Sequence, residues 1–507
     1  MLARKSALII STQIANGLLG YVALYFITRY MSPEAYGVMA FAYSFVALFT
    51  IFANLGFVHA HIKRVSEGKN LGKCIGTFIV TKTGLTGLMA LLTIGAIFFW
   101  KFAMGRGFES PTHELAVYIM LVYWIIQMFA QSFTATFKGR KEIAKAQLPS
   151  FFETLIRAST IIYVALAGFG PIALVLTYIV GDVFFLLTSL YFMKGYPIAK
   201  PSLDYFKNYS KFALPLSIVV ASSLIMTNID KVLIQLFWSA ADVGYYFAAF
   251  RLSMFIDMFA ISMWTLLFPT FSELHAKNSI KEIRKLTYKS ERYLSMIVFP
   301  MVFGMVILAE PTTRILLSGW MPAVPILQIL PFFVLFAALE VPYQSQLVGM
   351  NRPDLARNRI LIMVILNVAL NLILIPKDIK IFGLDLAGLG AMGAAIATVI
   401  AYGCGLIYSR YMALRLTNSK GNIRILIHAF SSIVMAAIIY VMLYNYHSIL
   451  SITRWYHLLL FGALALVIYL GILAMLREFT KQDFWFFLDT LNIKKMAQYI
   501  KEELKIK

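Results

Sequence analysis

The sequence predicts an all-α polytopic membrane protein of about fourteen transmembrane helices, and three observations lead there. AVILMFWYC make up 60% of the 507 residues and DEKR only 14%, whereas soluble domains carry roughly 45–50% apolar and about 25% charged residues. The apolar residues gather in runs of about 20, the length a helix needs to cross about 30 Å of hydrocarbon. No polar stretch between the termini could form a separate water-soluble domain, the longest polar segment being the tail 477–507.

Taken in order, the predicted spans are 7–27, 37–57, 75–99, 115–137, 148–168, 172–193, 212–237, 244–268, 293–308, 324–348, 360–375, 388–409, 425–446 and 457–476. The first follows Arg4 and Lys5 as a secretory signal would, but its apolar run exceeds the usual 7 to 15 residues and no small-x-small site follows. It is therefore read as a membrane helix. Of the 45 Lys and Arg, 34 fall at the termini and in every second loop, and 7 in the intervening loops. Basic residues accumulate on the cytoplasmic side, so a cell-membrane protein with both termini in the cytoplasm is expected. The net charge of +21 is thus topological and does not point to nucleic acid. In the tail, Phe484 to Phe487 and then Met496, Tyr499, Ile500 and Leu504 fit an amphipathic helix on the anionic inner leaflet. Cys74 and Cys404, the two cysteines, show neither a disulfide framework nor metal-ligand spacing. No cofactor is expected.

The sequence also repeats itself. SPEAYGVMAFAY from Ser32 is matched by SAADVGYYFAAF from Ser239, with Gly37 and Gly244 207 residues apart, and FKGRKEIA around Gly139 by LVGMNRPDLA around Gly349, 210 apart. Two similar offsets indicate one duplication. Six spans separate the matched features, so the copies share an orientation: parallel six-helix lobes at 1–195 and 196–410, two further helices in 411–476, and the cytoplasmic tail 477–507. In transporters built from repeats, the binding site lies between the halves near the bilayer midplane.

Nine charged residues fall within predicted spans: Lys82, Glu153, Arg157, Asp182, Asp230, Lys231, Arg251, Asp257 and Glu340. At roughly 2.5–3.5 kcal/mol each near a helix centre, nine facing lipid would exceed a domain's usual stability, so they must face one another or a wet cavity. Glu153 and Arg157 are four apart on one helix face and can pair. Lys82 lies near enough to its helix end to snorkel to the interface. Asn228, Asp230 and Lys231 on one span, with Arg251 and Asp257 on the next, form the densest polar group, which also suits a structural network. Asp182 and Glu340 have no sequence-local partner and are either held by cross-helix hydrogen bonds or candidates to titrate or bind a cation.

Other motifs carry less. GLGAMG from Gly388 matches GxGxxG but opens a span, where it serves close helix packing. GKNLGKC from Gly68 lacks P-loop spacing, and His59 and His61 form no metal pattern. Asn208-Tyr209-Ser210 is a glycosylation triplet in a loop expected to be cytoplasmic, where it stays unmodified.

KFALPLS, TNIDKVLI, DVGYYFAAFRL and LFPTFSEL between Tyr209 and Leu274, together with SPEAYGVMAFAY, FKGRKEIA and GLGAMGAAIAT, resemble the polysaccharide biosynthesis export proteins. These are the O-antigen-type lipid-linked oligosaccharide flippases of the multidrug/oligosaccharidyl-lipid/polysaccharide superfamily, and the resemblance spans about residues 1–476. It implies a V-shaped bundle that carries undecaprenyl or dolichyl (di)phosphate-linked glycans outward by alternating access, without enzymatic chemistry. The expected partners are the lipid-linked glycan, membrane lipids, a coupling H+ or Na+, and polysaccharide-assembly proteins. Asp230, Lys231 and Arg251 lie within the matched motifs.

A glycan cannot cross hydrocarbon unaided, so a polar cavity open to lipid would lower the barrier. Arg157, Lys231 and Arg251, with Lys82 the weakest candidate, suit phosphate. Glu153, Asp182, Asn228, Asp230, Asp257 and Glu340 suit cavity lining or ion coupling. A cation-coupled exporter of small cationic molecules in the same superfamily would rely on the acids instead. A polytopic glycosyltransferase would need outer-loop acids, and the first outer loop offers only Glu34.

Overall fold

The computed structural model describes residues 2–102, 108–379, 384–445, 452–481 and 483, so the amphipathic helix expected over 484–507 lies outside the described residues. The helices are α1 (Leu2–Tyr30), α2 (Pro33–Asn54), α3 (Phe57–Ser66), α4 (Leu71–Phe102), α5 (Pro111–Gly139), α6 (Ile143–Leu166), α7 (Pro171–Met193), α8 (Leu203–Phe237) and α9 (Ala240–Ser253). They continue as α10 (Asp257–Ala276), α11 (Ile280–Ile307), α12 (Ala309–Leu316), α13 (Ala323–Ile329), α14 (Pro331–Gly349), α15 (Pro353–Leu374), α16 (Gly390–Thr417), α17 (Ile425–Asn445) and α18 (Trp455–Met475). A two-residue antiparallel ladder pairs Asp378 with Asp385.

The polytopic all-helical architecture is as expected. Among the described residues eleven helical segments, α13–α14 taken as one, are long and apolar enough to cross a membrane, or twelve if the bent pair α9–α10 is one span. The other two helices at expected spans, α1 and α6, have 29 and 24 residues.

Local chemistry sets the ends. Ser32 caps α2 by accepting from the Ala35 N–H at 3.1 Å, Pro33 opens the first turn and Glu34 complements its dipole. At the far end Leu55 and Gly56 both have positive φ, which turns the chain into α3.

Several boundaries differ from expectation. The expected loop 58–74 contains α3, and α8 and α11 begin at Leu203 and Ile280, before the apolar runs that signalled them. The span expected over 244–268 is broken by a 48° bend. There the N–H groups of Phe255, Ile256 and Asp257 reach back only three residues, to Leu252, Ser253 and Met254, tightening the ladder. Ser253 also bonds the Ala249 carbonyl at 2.9 Å, which competes with the helix.

The chain forms two compact units dividing between Gly244 and Tyr245. In the first, α2 is buried along most of its length, with Tyr36 to Phe41 almost wholly enclosed, and packs on α4, α5 and α8. In the second, α14 packs on α10, α11 and α16. Within it, Arg292 holds Glu478 at 2.6 Å and Asp483 at 2.8 Å, and Arg424 reaches Glu478 at 2.9 Å. Asp483 is half of a capping box with Thr480, and despite its burial the bonds from Arg292 and Thr480 hold its carboxyl well below the usual range.

The motifs around Gly139 and Gly349 share backbone detail. A Cβ on Gly139 would stand 2.8 Å from the Val65 Cβ, and one on Gly349 2.8 Å from the Phe271 Cβ. Two residues further on, Lys141 (φ 60) and Asn351 (φ 59) both adopt the left-handed region before α6 and α15 begin.

Candidate functional site

Within the first unit, α5 and α6 line a half-open cavity of ≈ 380 Å³. From α5 come Gln127, Gln131, Thr134 and Lys138, spaced so that they fall along one helix face. From α6 come Gln147, Ser150 and Glu153, while Val58 of α3 and Phe185 of α7 complete the wall. The opposite side of α5 buries Ala116, Val117, Met120 and Trp124, which fixes the rotation that presents the polar stripe. Pro149 interrupts the α6 backbone ladder between Gln147 and Ser150. Gln127 donates to the Tyr123 hydroxyl at 3.4 Å, and its side-chain oxygen has no donor among the described residues.

At the deep end Glu153 meets Arg157 at 2.7 Å and accepts from the Thr154 hydroxyl at 2.9 Å. The Arg157 guanidinium lies 5.0 Å over the Tyr178 ring. Tyr178 is 6.0 Å from Tyr43 and 5.5 Å from Tyr123, and Trp124 is 5.1 Å from Tyr43. Gly181 allows this approach of α7 to α6, since a Cβ there would stand 2.9 Å from the Arg157 Cβ and 3.1 Å from the Glu153 carbonyl oxygen. Its neighbour Asp182 is fully buried, and neither carboxylate oxygen has a hydrogen-bond partner among the described residues.

The remaining candidates stand elsewhere. Lys82 does not snorkel: it is fully buried, and its ammonium donates to the Ala53 carbonyl at 2.8 Å and the Asn54 side chain at 3.1 Å. It thus meets the carbonyl end of α2, whose last C=O groups have no partner within the helix. Asn228 bonds the Leu224 carbonyl at 2.9 Å, and Lys231 the Thr227 carbonyl, along their own helix; Asp230 and Lys231 are buried.

In the second unit Arg251 is exposed, 5.0 Å over Phe247. Asp257 opens α10 at the bend, where the helix dipole favours an acid. Glu340, which has no sequence-local partner, finds cross-helix ones: it is buried in an ion pair with Arg359 and accepts from Ser409 at 2.6 Å. Glu153, Arg157 and Asp182 come together, whereas Lys82 and Glu340 are each closed off by local partners.

Sequence reasoning missed the uncharged part of the groove. Glutamine, serine and threonine are less conspicuous in apolar spans than charges, but the i, i+4, i+7, i+11 stripe on α5 was the available signal. His61, set aside in the sequence as part of no metal pattern, is buried, stacks on Phe78 at 4.0 Å, and bonds Tyr209 at 3.1 Å and Thr136 at 2.8 Å. Burial pushes this imidazole down to about 3.

Comparison with known proteins agrees with this architecture. The chain is 24% identical over 417 residues to the probable low-salt glycan biosynthesis flippase Agl15 of Haloferax volcanii, covering 81% of this chain and 84% of that protein. It shares the fold of lipid II flippase MurJ in an inward closed conformation, with a TM-score of 0.73 at 16% identity over 91% of this chain and 98% of that one. A multidrug resistance MATE family transporter of the MOP superfamily, in an inward-facing conformation, gives 0.65 at 16% identity over 80% and 96%. The polysaccharide biosynthesis protein family model matches residues 26–325, more than half of the sequence, and the chain belongs to that family.

Proposed function

We propose that this protein is a flippase that moves a lipid-linked oligosaccharide from the cytoplasmic to the outer leaflet of a cell membrane by alternating access, crossing fourteen times with both termini in the cytoplasm. The observation that carries the reading is the α5–α6 cavity, a stripe of amides and hydroxyls ending on the Glu153–Arg157 pair inside an apolar bundle. Such a surface replaces water around a head group while the polyprenyl chain stays in lipid. The Agl15 relative, named a glycan biosynthesis flippase, supports the same reading.

Arg157 is the intramembrane base that the anionic head group would meet once it has passed the interface, with Lys231 and Arg251 as further candidates. An inside-negative potential favours outward movement of the anion by about 2.3 kcal/mol per charge per 100 mV. Asp182 supplies the coupling site: an unpartnered buried carboxylate is costly when ionised, so a proton offsets its burial. The cationic-drug reading is weaker, because the tyrosine cage that would suit a cation already holds the Arg157 guanidinium.

The test uses proteoliposomes carrying a fluorescent polyprenyl diphosphate-linked oligosaccharide and a membrane-impermeant quencher. Protein-dependent exposure of the inner-leaflet pool is expected, slowed on the order of tenfold by Arg157→Ala. Quenching that is identical with and without protein would refute the reading.

A further inference from the structure

The α5–α6 groove has a polarity gradient that suggests which part of a head group it holds. Lys138, the last-turn cation of α5, is exposed at one end of the cavity lining, with Gln147 near the start of α6. Glu153 lies at the other end, its charge answered by Arg157. Between them Gln127 and Gln131 present side-chain amides, and the Gln127 oxygen has no donor among the described residues. From Lys138 to Gln127 is eleven residues, about 16 Å of helix at 1.5 Å per residue.

We infer that this groove is a subsite for the lipid-proximal, uncharged sugar of the carrier-linked glycan, with Lys138 holding the adjoining phosphate at the membrane interface. The inference rests on the flippase reading above. Three features support it. Primary amides both donate and accept, which matches the alternating demands of sugar hydroxyls and acetamido groups. An acidic sugar would bring a second carboxylate beside Glu153, whose counter-ion Arg157 is already engaged, whereas a neutral ring can donate its hydroxyls there. The volume of ≈ 380 Å³ is near the lower limit of the roughly 300–1,000 Å³ typical of ligand sites, room for about one or two sugar rings. The protein would therefore read the first sugar and tolerate variation further out.

Purified full-length protein in nanodiscs is titrated with three probes: a short-chain polyprenyl diphosphate, the same lipid bearing one N-acetylhexosamine, and the same lipid bearing one hexuronic acid. The wild type is expected to bind the neutral-sugar lipid more tightly than either of the others. Gln131→Leu and Gln127→Leu should each weaken the neutral-sugar probe about 3- to 10-fold, one hydrogen bond's worth, and leave the bare diphosphate unchanged. Lys138→Ala should weaken all three. Size-exclusion profiles and thermal midpoints identify any variant that has failed to fold, and the glutamine at the other position then decides. If wild type binds and flips the probes but both folded glutamine variants bind all three like wild type, the subsite is wrong and the flippase reading stands. If wild type binds none of the lipids, both fall.

Discussion

Gly37 on α2 and Gly244 on α9 meet reciprocally. A Cβ on Gly37 would stand 1.7 Å from the Ala240 carbonyl oxygen, and one on Gly244 2.0 Å from the Pro33 carbonyl oxygen. These are the two glycines aligned by the matched motifs, and each leaves bare the space that the other's helix backbone occupies. Neither glycine has positive φ; their requirement is closeness, not conformation.

Gly37→Ala and Gly244→Ala should therefore each force the helix backbones apart, because the obstructing atoms are main-chain oxygens that cannot rotate away. A loss of about 1–3 kcal/mol or more is expected, as for overpacked cores. Thermal unfolding in detergent checks it, and unchanged midpoints for both variants would remove the close contact.

Glu340 and Arg359 form a buried pair whose halves need each other. Glu340→Ala strands a buried guanidinium and should cost about 3–5 kcal/mol, whereas replacing both partners with apolar residues should cost much less. A double-mutant cycle on thermal stability reads this difference; additive losses would contradict the pairing.

His61 makes stability depend on acid. Its folded-state value lies near 3, against 6.5 when unfolded. Between those limits the unfolded chain binds a proton that the folded chain refuses, so stability falls as pH drops from about 6.5 toward 3. His61→Phe, which keeps the stack on Phe78 but loses the bonds to Tyr209 and Thr136, should be less stable at pH 7 and show a shallower decline. Midpoints measured across that range, if parallel for the two proteins, would rule the histidine out as a contributor.

Lys82→Met should lower the thermal midpoint, since the Ala53 carbonyl and Asn54 side chain lose their donor. Flipping per folded molecule should remain near wild type. A selective collapse of transport at unchanged stability would instead give Lys82 a place in the substrate path.

Asp182→Asn imitates the protonated acid, so the fold should be retained. In proteoliposomes with an imposed pH gradient, the variant should lose the gradient's effect on flipping rate. Equal stimulation of variant and wild type would remove Asp182 from coupling.

Much of the fold was readable from run length alone, because hydrocarbon thickness sets one number that every span must satisfy. The break between Ser253 and Asp257 was not readable: Met254, Phe255 and Ile256 are all compatible with helix, and no proline or glycine marks the bend. Arg359 was counted with a loop, so Glu340 looked unpartnered until the start of α15 at Pro353 placed the arginine on its second turn. Of the candidate site, the Glu153–Arg157 pair followed from spacing, since i and i+4 must neighbour on a helix. The glutamine stripe was legible as spacing on α5, but that it faces α6, like the seclusion of Lys82, depends on which helix packs against which, information that one sequence does not carry in its local pattern.

The most direct measurement is photo-crosslinking during transport. A polyprenyl diphosphate lipid bearing one neutral sugar with a photoreactive group is added to active proteoliposomes, irradiated, and the adducts mapped by mass spectrometry. Adducts concentrated on α5 and α6 between Gln127 and Glu153, and reduced in Gln131→Leu, are expected. Active flipping with labelling confined to other helices would mean that the head group travels by another route.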